Sequence, residues 1–309
     1  MRKFIIRTFL FILPVLAIAV SAEILLRKIP NDYSYKSKYL DQHAGEIETL
    51  ILGSSHTYRG INPDYISGKA FNASYVSQSL NYDYEILKKY QNKLSNLKTI
   101  VLPISYFTLF SKIELGLESW RVKNYHIYYH IHNGGPVSDY FEVLSNKPKV
   151  NLKRIYGYYF KHKETVTCST LGWGKIYKSK KSRDLAETGI TAAKRHTRGD
   201  IHSEDQQQLL KENMLILNTM IKWCKNKNVK ILLFTPPAFI TYRQNINSEQ
   251  YNFTVNTVKN LALQYDNCRY INLFDDPEFV STDFYNADHL NPAGAEILSK
   301  LINQKLKEW

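Results

Sequence analysis

Ser55 stands in the stretch ETLILGSSHTYRGI (48–61), where Leu50, Ile51 and Leu52 run through Gly53 into two serines and a histidine. A serine hydroxyl becomes a nucleophile only when a base takes its proton. It serves equally well as a helix cap where a strand turns into a helix. Nine histidines could supply the base. His289, in FYNADHLNPAGAEIL, lies between the last apolar run and the last helical pattern. An imidazole acting as base needs an acceptor for its other nitrogen. Asp288 is adjacent, Asn286 is three residues back and Asp283 six back. An asparagine carbonyl can orient the ring but brings no charge, so Asp288 is the expected orienting residue. Neighbours along a chain tend to point apart, which keeps Asn286 in contention. His126 and His130 share a helical face at i, i+4, with His132 close by. No carboxylate or cysteine joins them, so no metal site is expected.

The elements around these residues alternate. Short apolar runs at 49–53, 69–74, 98–105, 229–237 and 269–274 read as strands buried on both faces. Amphipathic patterns at 78–94, 205–228, 248–267 and 291–309 read as helices, the last with Asn291 as N-cap and Pro292 at the first position. Alternating strands and helices imply a parallel sheet covered on both faces. Ligands bind such sheets at the carboxyl ends of the strands. Ser55 and His289 would both arrive there, from opposite ends of the sequence.

ILGSSH and DHLNPAGA resemble the first and last blocks of SGNH/GDSL hydrolases. Ser54 stands where that family has Asp, and the Gly-Ser-Ser variant resembles that of membrane-anchored teichoic-acid D-alanylation proteins. The likeness covers roughly 47–110 and 205–309. It implies a flavodoxin-like three-layer α/β/α fold with a five-stranded parallel sheet, and ester chemistry through Ser55, His289 and Asp288. It also implies an oxyanion hole: the nucleophile's own N–H, Ser77 where a glycine is usual, and Ser105 near where an asparagine is usual, with Asn72 opening the second block. No cofactor is implied. The substrate class implied is an acylated, often O-acetylated, cell-envelope glycan or lipid-linked molecule, hydrolysed or used in transfer. Two other readings stand beside it. One is a weakly active or inactive accessory protein that assists a membrane acyltransferase partner; the other is a lipid-directed esterase.

The 309 residues carry a net charge of +13. No zinc-finger, RRM or basic-zipper pattern accompanies it, so nucleic acid is not an expected partner. Between 147 and 198 there are 14 Lys/Arg against 3 Asp/Glu, so +11 of the +13 falls there. This stretch lies within a Tyr- and His-rich insertion at about 111–204. The insertion reads as a lid or substrate platform over the carboxyl edge, or as a basic surface facing anionic lipid. Cys168, Cys224 and Cys268 show no metal or CxxC spacing and read as structural. Arg2, Lys3 and Arg7 precede 18 residues, Phe9–Leu26, that are apolar except for Ser21, Glu23 and small residues. Residues 1–28 are a transmembrane anchor or a signal segment cleaved near Ala22, and Ile24–Leu26 favour the anchor. The basic flank places the N-terminus in the cytoplasm and the domain from 47 outside it. Residues 29–46 read as a linker.

Overall fold

A computed structural model describes residues 1–175 and 184–309. In chain order the elements begin with α1 (Arg2–Lys28), α2 (Asp32–His43), β1 (Thr49–Ile51), α3 (Ser55–Gly60), β2 (Ala70–Asn72), α4 (Leu80–Tyr90) and β3 (Thr99–Pro103). Helices α5 (Val122–Tyr128), α6 (Glu142–Ser145), α7 (Pro148–Tyr159), α8 (Leu185–His196) and α9 (Glu204–Asn226) come next. Then follow β4 (Lys230–Thr235), α10 (Ile240–Arg243), α11 (Ser248–Ala262), β5 (Cys268–Asn272), β6 (Phe284–Asn286), β7 (His289–Leu290) and α12 (Pro292–Lys307). They group into two compact units, one of residues 1–38 and 119–167, the other of 39–118 and 168–309.

The larger unit is built on a five-stranded parallel sheet in the order β2-β1-β3-β4-β5, flanked by helices. This is the flavodoxin-like order, and all five carboxyl ends share one edge. The strands are apolar on both faces because both are covered. Ile51, Val101, Leu232 and Phe234 cluster with Leu298 and Ile302 of α12. Leu50, Ile100, Ile231 and Leu233 are buried at the alternate positions, which point to the other face. Helix α9 buries Leu217, Met220, Ile221 and Cys224, and α12 buries Ala295, Leu298, Ser299 and Ile302. Each set follows i, i+3, i+4, i+7, the spacing of a single buried stripe.

Two expectations from sequence are corrected. The stretch 29–46, read as a linker, holds α2. Its start belongs to the smaller unit, where Asp32 accepts hydrogen bonds from Thr167 N and Oγ1, each at 2.6 Å. Its end belongs to the larger unit, where Tyr39 stacks on Phe71 at 4.1 Å. The insertion at 111–204 is not one block: 119–167 lie in the smaller unit, while 168–175 and 184–204 lie in the larger. Residues 176–183 of the insertion lie outside the described residues. In the smaller unit, His126 and His132 pack their rings against Tyr140 at 4.6 and 5.4 Å, forming an aromatic cluster.

The turn leaving β1 rests on a buried carboxyl. Asp83 of α4 accepts from Gly53 N–H at 2.7 Å and from Gln78 Nε2 at 2.6 Å. Burial pushes the Asp83 carboxyl up to about 7, against those two hydrogen bonds, which favour the charge. A raised folded-state pKa means the favourable contribution is whole below about pH 4 and is lost as pH rises through 7. Asp83→Asn keeps the acceptor without the charge. Its melting temperature should exceed that of the unsubstituted protein at pH 8, by the equivalent of about 1–4 kcal/mol, and the gap should close toward pH 4. Thermal melts at the two pH values check this, and no gain at pH 8 would contradict it.

Candidate functional site

All the site residues lie in the larger unit, at the carboxyl edge of its sheet. The β1 strand ends at Ile51, and Gly53 turns the chain with φ +109, a conformation that favours glycine. A Cβ there would also come within 2.3 Å of the Pro103 ring at the end of β3. Ser54 is extended and caps α3, its carbonyl accepting from Thr57 N at 3.2 Å and Tyr58 N at 3.0 Å. Ser55 is then the first residue of α3, half-buried at the mouth of the turn.

His289 arrives from the other end of the chain on a two-stranded hairpin. In its antiparallel pairing Asn286 faces His289, with Ala287 and Asp288 forming the two-residue turn. Asn291 caps α12 through Ala293 N and Gly294 N. Gly294 lets α12 approach Asp283, whose carbonyl a Cβ would meet at 2.3 Å. The hairpin turn is held from outside as well: Phe239 N–H donates to the Ala287 carbonyl at 2.9 Å, and Ala287 N–H donates to Thr188 Oγ1 of α8 at 3.2 Å.

Ser55 Oγ lies 2.7 Å from His289 Nε2. On the far side of the ring, Nδ1 is 3.0 Å from Asn286 Oδ1 and 3.1 Å from Asp288 Oδ1. Asn286 takes the aligned hydrogen bond. Asp288 Oδ1 lies out of line, so it offers charge rather than a second bond. The adjacent side chains therefore do not point apart. The tight hairpin turn folds Asp288 back beside the ring while its cross-strand geometry presents Asn286. Burial alone would raise the Asp288 carboxyl, but the charge of His289 beside it outweighs that. The carboxyl is held well below the usual range. Its Oδ2 meets the Arg195 guanidinium at 3.3 Å.

Three further residues complete this cluster. His56, next to Ser55, packs its ring 5.1 Å from that of His289. Burial, reinforced by His289, holds it down at about 3, so it is neutral across the working range. Arg195 and His196 end α8, inside the insertion. Gly189 admits that helix, since a Cβ there would lie 2.3 Å from Thr241 Oγ1. Burial likewise holds His196 well below its ordinary value, and its Nδ1 meets Tyr242 OH at 2.8 Å. No local motif marks α8. A small cavity of about 10 Å³, the size of one water, lies behind Asp288 and is lined also by His56, Ser105, Thr235 and Tyr242.

The ligand atoms of His56, Asp288 and His289 lie within 4.8 Å of one another, a spacing a metal would accept. Each already has a partner: Ser105, Arg195 and Ser55 respectively. A cation there would also have to sit beside the Arg195 guanidinium. The arrangement suits proton transfer better than metal binding.

The residues read as oxyanion or substrate contacts fare differently. Asn72 is fully buried and does not serve the site. Its Nδ2 donates to the Thr57 and Ile61 carbonyls at 2.8 Å each, and its Oδ1 accepts from Ser74 N at 3.1 Å. It ties the end of β2 to α3. Ser77 sits in the loop after β2 at φ 59, the backbone region a glycine would adopt freely, and its hydroxyl is held by Glu118. The same loop bonds the nucleophile turn through Tyr75 N on the Gly53 carbonyl at 3.1 Å. Ser105, after β3, is buried with Oγ 2.8 Å from His56 Nδ1. The Ser105 hydroxyl is thereby engaged with His56 rather than with a substrate oxygen.

No family model and no curated protein matches the chain. Among solved structures, the chain is similar to one from Streptococcus pneumonia, provisionally described as a platelet activating factor. The identity is 12%, the coverage 94% of this chain and 99% of the other, and the TM-score 0.46. It is also similar to a provisionally assigned acylhydrolase from Bacteroides fragilis NCTC 9343, at 12% identity over 88% and 95% of the two chains, with a TM-score of 0.42. At these scores the functional reading rests on the site itself.

The position of Ser105 gives a separable expectation. Ser105→Ala removes the hydrogen-bond partner of a buried ring and should cost about 1–3 kcal/mol of stability. Its effect on kcat should stay below about tenfold, against the 10²–10³-fold loss that follows removal of an oxyanion donor. Denaturant melts and ester kinetics on the same preparation check this. A hundredfold loss of kcat at unchanged stability would put the Ser105 hydroxyl on the substrate.

Proposed function

We propose that the chain is a serine-dependent enzyme of acyl esters, with Ser55 as nucleophile and His289 as base. The observation that carries this reading is the 2.7 Å contact between Ser55 Oγ and His289 Nε2, with His289 Nδ1 held by Asn286 and flanked by ionised Asp288. Ser55 Oγ attacks the ester carbonyl carbon as its proton passes to His289 Nε2. The tetrahedral intermediate collapses, the C–O bond to the leaving alcohol breaks, and His289 returns the proton to that alcohol. Water, or a second hydroxyl, then attacks the acyl-serine with His289 again as base. This frees the acid or completes a transfer, and restores Ser55.

The oxyanion is served by backbone N–H groups, those of Ser55 and Ser77. Without a third, side-chain donor, turnover should be slower than with a full set, by about 10²–10³-fold. Among substrates, an acylated envelope glycan accords with a chain whose first helix is long and apolar enough to cross a membrane, with mean hydropathy 2.6 over 18 residues. The basic residues in the first turns of that helix, ahead of its apolar run, support a cytoplasmic N-terminus and an extracytoplasmic catalytic unit. A second reading, an accessory protein of low activity beside a membrane acyltransferase, is favoured by the engagement of Ser105 and Asn72 elsewhere.

Ester hydrolysis by the purified full chain, measured with a chromogenic acetate ester, tests the assignment. Ser55→Ala and His289→Ala should each reduce it to background. Asn286→Leu removes the aligned acceptor and should approach the roughly 10⁴-fold loss that follows when the group orienting a triad histidine fails, while Asp288→Asn removes only the flanking charge and should cost less. Activity that survives Ser55→Ala removes the nucleophile. Activity absent from the unsubstituted protein, with its fold intact, favours the accessory reading.

A further inference from the structure

We propose that one face of the smaller unit, carried by α6 and α7, is a membrane-interfacial surface that seats on an anionic phospholipid bilayer beside α1. The 27 residues of α1 make a helix about 40 Å long. A hydrocarbon core of about 30 Å takes about 20 of them. Counted from Lys3, the core ends near Glu23, the first acidic residue of the helix. Glu23 therefore marks headgroup level. Its carboxylate accepts hydrogen bonds from Glu142 N at 3.1 Å and Val143 N at 2.8 Å, the first two residues of α6. Arg27 donates to the Tyr140 carbonyl at 2.6 Å, and Tyr159 OH of α7 donates to the Leu25 carbonyl at 3.0 Å. Helices α6 and α7 are thus bonded to the last turns of the apolar helix.

These contacts are fixed from within. Glu142 is fully buried, with Lys123 at 2.5 Å and Arg154 at 2.6 Å, and Tyr128 OH donates to it at 2.6 Å. Removing one member of such a cluster would leave a buried charge unpaired, so α6 is not free to swing from α1.

What α6 and α7 leave exposed is apolar and basic. Leu152, Tyr156 and Phe160, at i, i+4 and i+8, share one face and are 67%, 53% and 68% exposed, and Leu144 is 60% exposed. Between 147 and 163 there are six Lys/Arg and no Asp or Glu. Arg154 is spent on Glu142, and the five lysines, 147, 149, 153, 161 and 163, are exposed. The Lys161 ammonium lies 5.7 Å from the Tyr156 ring centre. Leucine and aromatic side chains with lysines beside them, bonded to a helix at headgroup depth, match a helix lying in the bilayer interface. Each lysine near an anionic surface adds to its attraction for that surface. Apolar continuity with α1 and this excess of positive charge together identify the occupant as lipid.

The test places the full chain in nanodiscs of phosphatidylcholine, with or without phosphatidylglycerol. Environment-sensitive fluorophores are attached at Leu152→Cys or Phe160→Cys; the native cysteines are buried. A Leu13→Cys probe reports α1 itself. Blue-shifted emission at 152 and 160, quenched about twofold by lipid carrying a shallow spin label, is expected, and more strongly with phosphatidylglycerol. Replacing Lys149, Lys153, Lys161 and Lys163 with Gln should abolish the difference between the two lipids while leaving the melting temperature unchanged. Water-like emission at 152 and 160 while the Leu13 probe is quenched would overturn the proposal. A shift that disappears when each disc holds one copy would assign the face to a second copy and overturn it too. An unquenched Leu13 probe would remove the membrane span and the proposal with it.

Discussion

The contact on which the rest of the site depends joins residues 234 apart in sequence, Ser55 Oγ and His289 Nε2, at 2.7 Å. Nothing local can produce it. It needs a parallel sheet in which β1 and the hairpin after β5 deliver their ends to one edge. It needs a sharp exit from β1, which only Gly53 permits, because φ is positive and Pro103 fills the space of a Cβ. On the other side it needs a two-residue turn that places Asn286 opposite His289, and a helix cap at Asn291 that fixes where the hairpin stops. Each is a backbone constraint, and together they leave the two side chains little freedom of relative position.

Around that pair the protein keeps one charge and suppresses others. Asp288 stays ionised beside the base, while burial keeps His56 and His196 neutral. Positive neighbours would oppose the imidazolium that must form when Ser55 gives up its proton. Neutral rings pack against His289 without that cost. Arg195 lies beside the carboxylate on the side away from His289, where its charge holds Asp288.

Much of the fold was legible because its strands are apolar on both faces, which shows in even three to six residues when helices alternate with them. The hairpin was not. FYN and HL are too short and too polar to register as strands, so the reason for the three-residue spacing of Asn286 and His289 emerged only from their pairing. The helix in 29–46 was hidden by its composition: its buried residues are Asp32, Tyr33, Lys36, Ser37 and Leu40, and three of the five look solvent-exposed on paper. Asn72 and Ser105 show the limit of reading by block spacing. Spacing placed both at the carboxyl edge, but not the direction of their side chains, which turn to α3 and to His56. Arg195 and His196 lie in a segment with no counterpart in the resemblance. Only the close packing of α8 at Gly189 brings them to the site.

The central claim is that Ser55, and not the adjacent Ser54 or Ser105, is made nucleophilic by His289. Labelling of the full-length protein with a fluorophosphonate, followed by intact mass and peptide mapping, tests it most directly. The account predicts a single adduct on Ser55, absent from His289→Ala protein of unchanged fold. An adduct on another residue, or one on Ser55 that persists without His289, would contradict it.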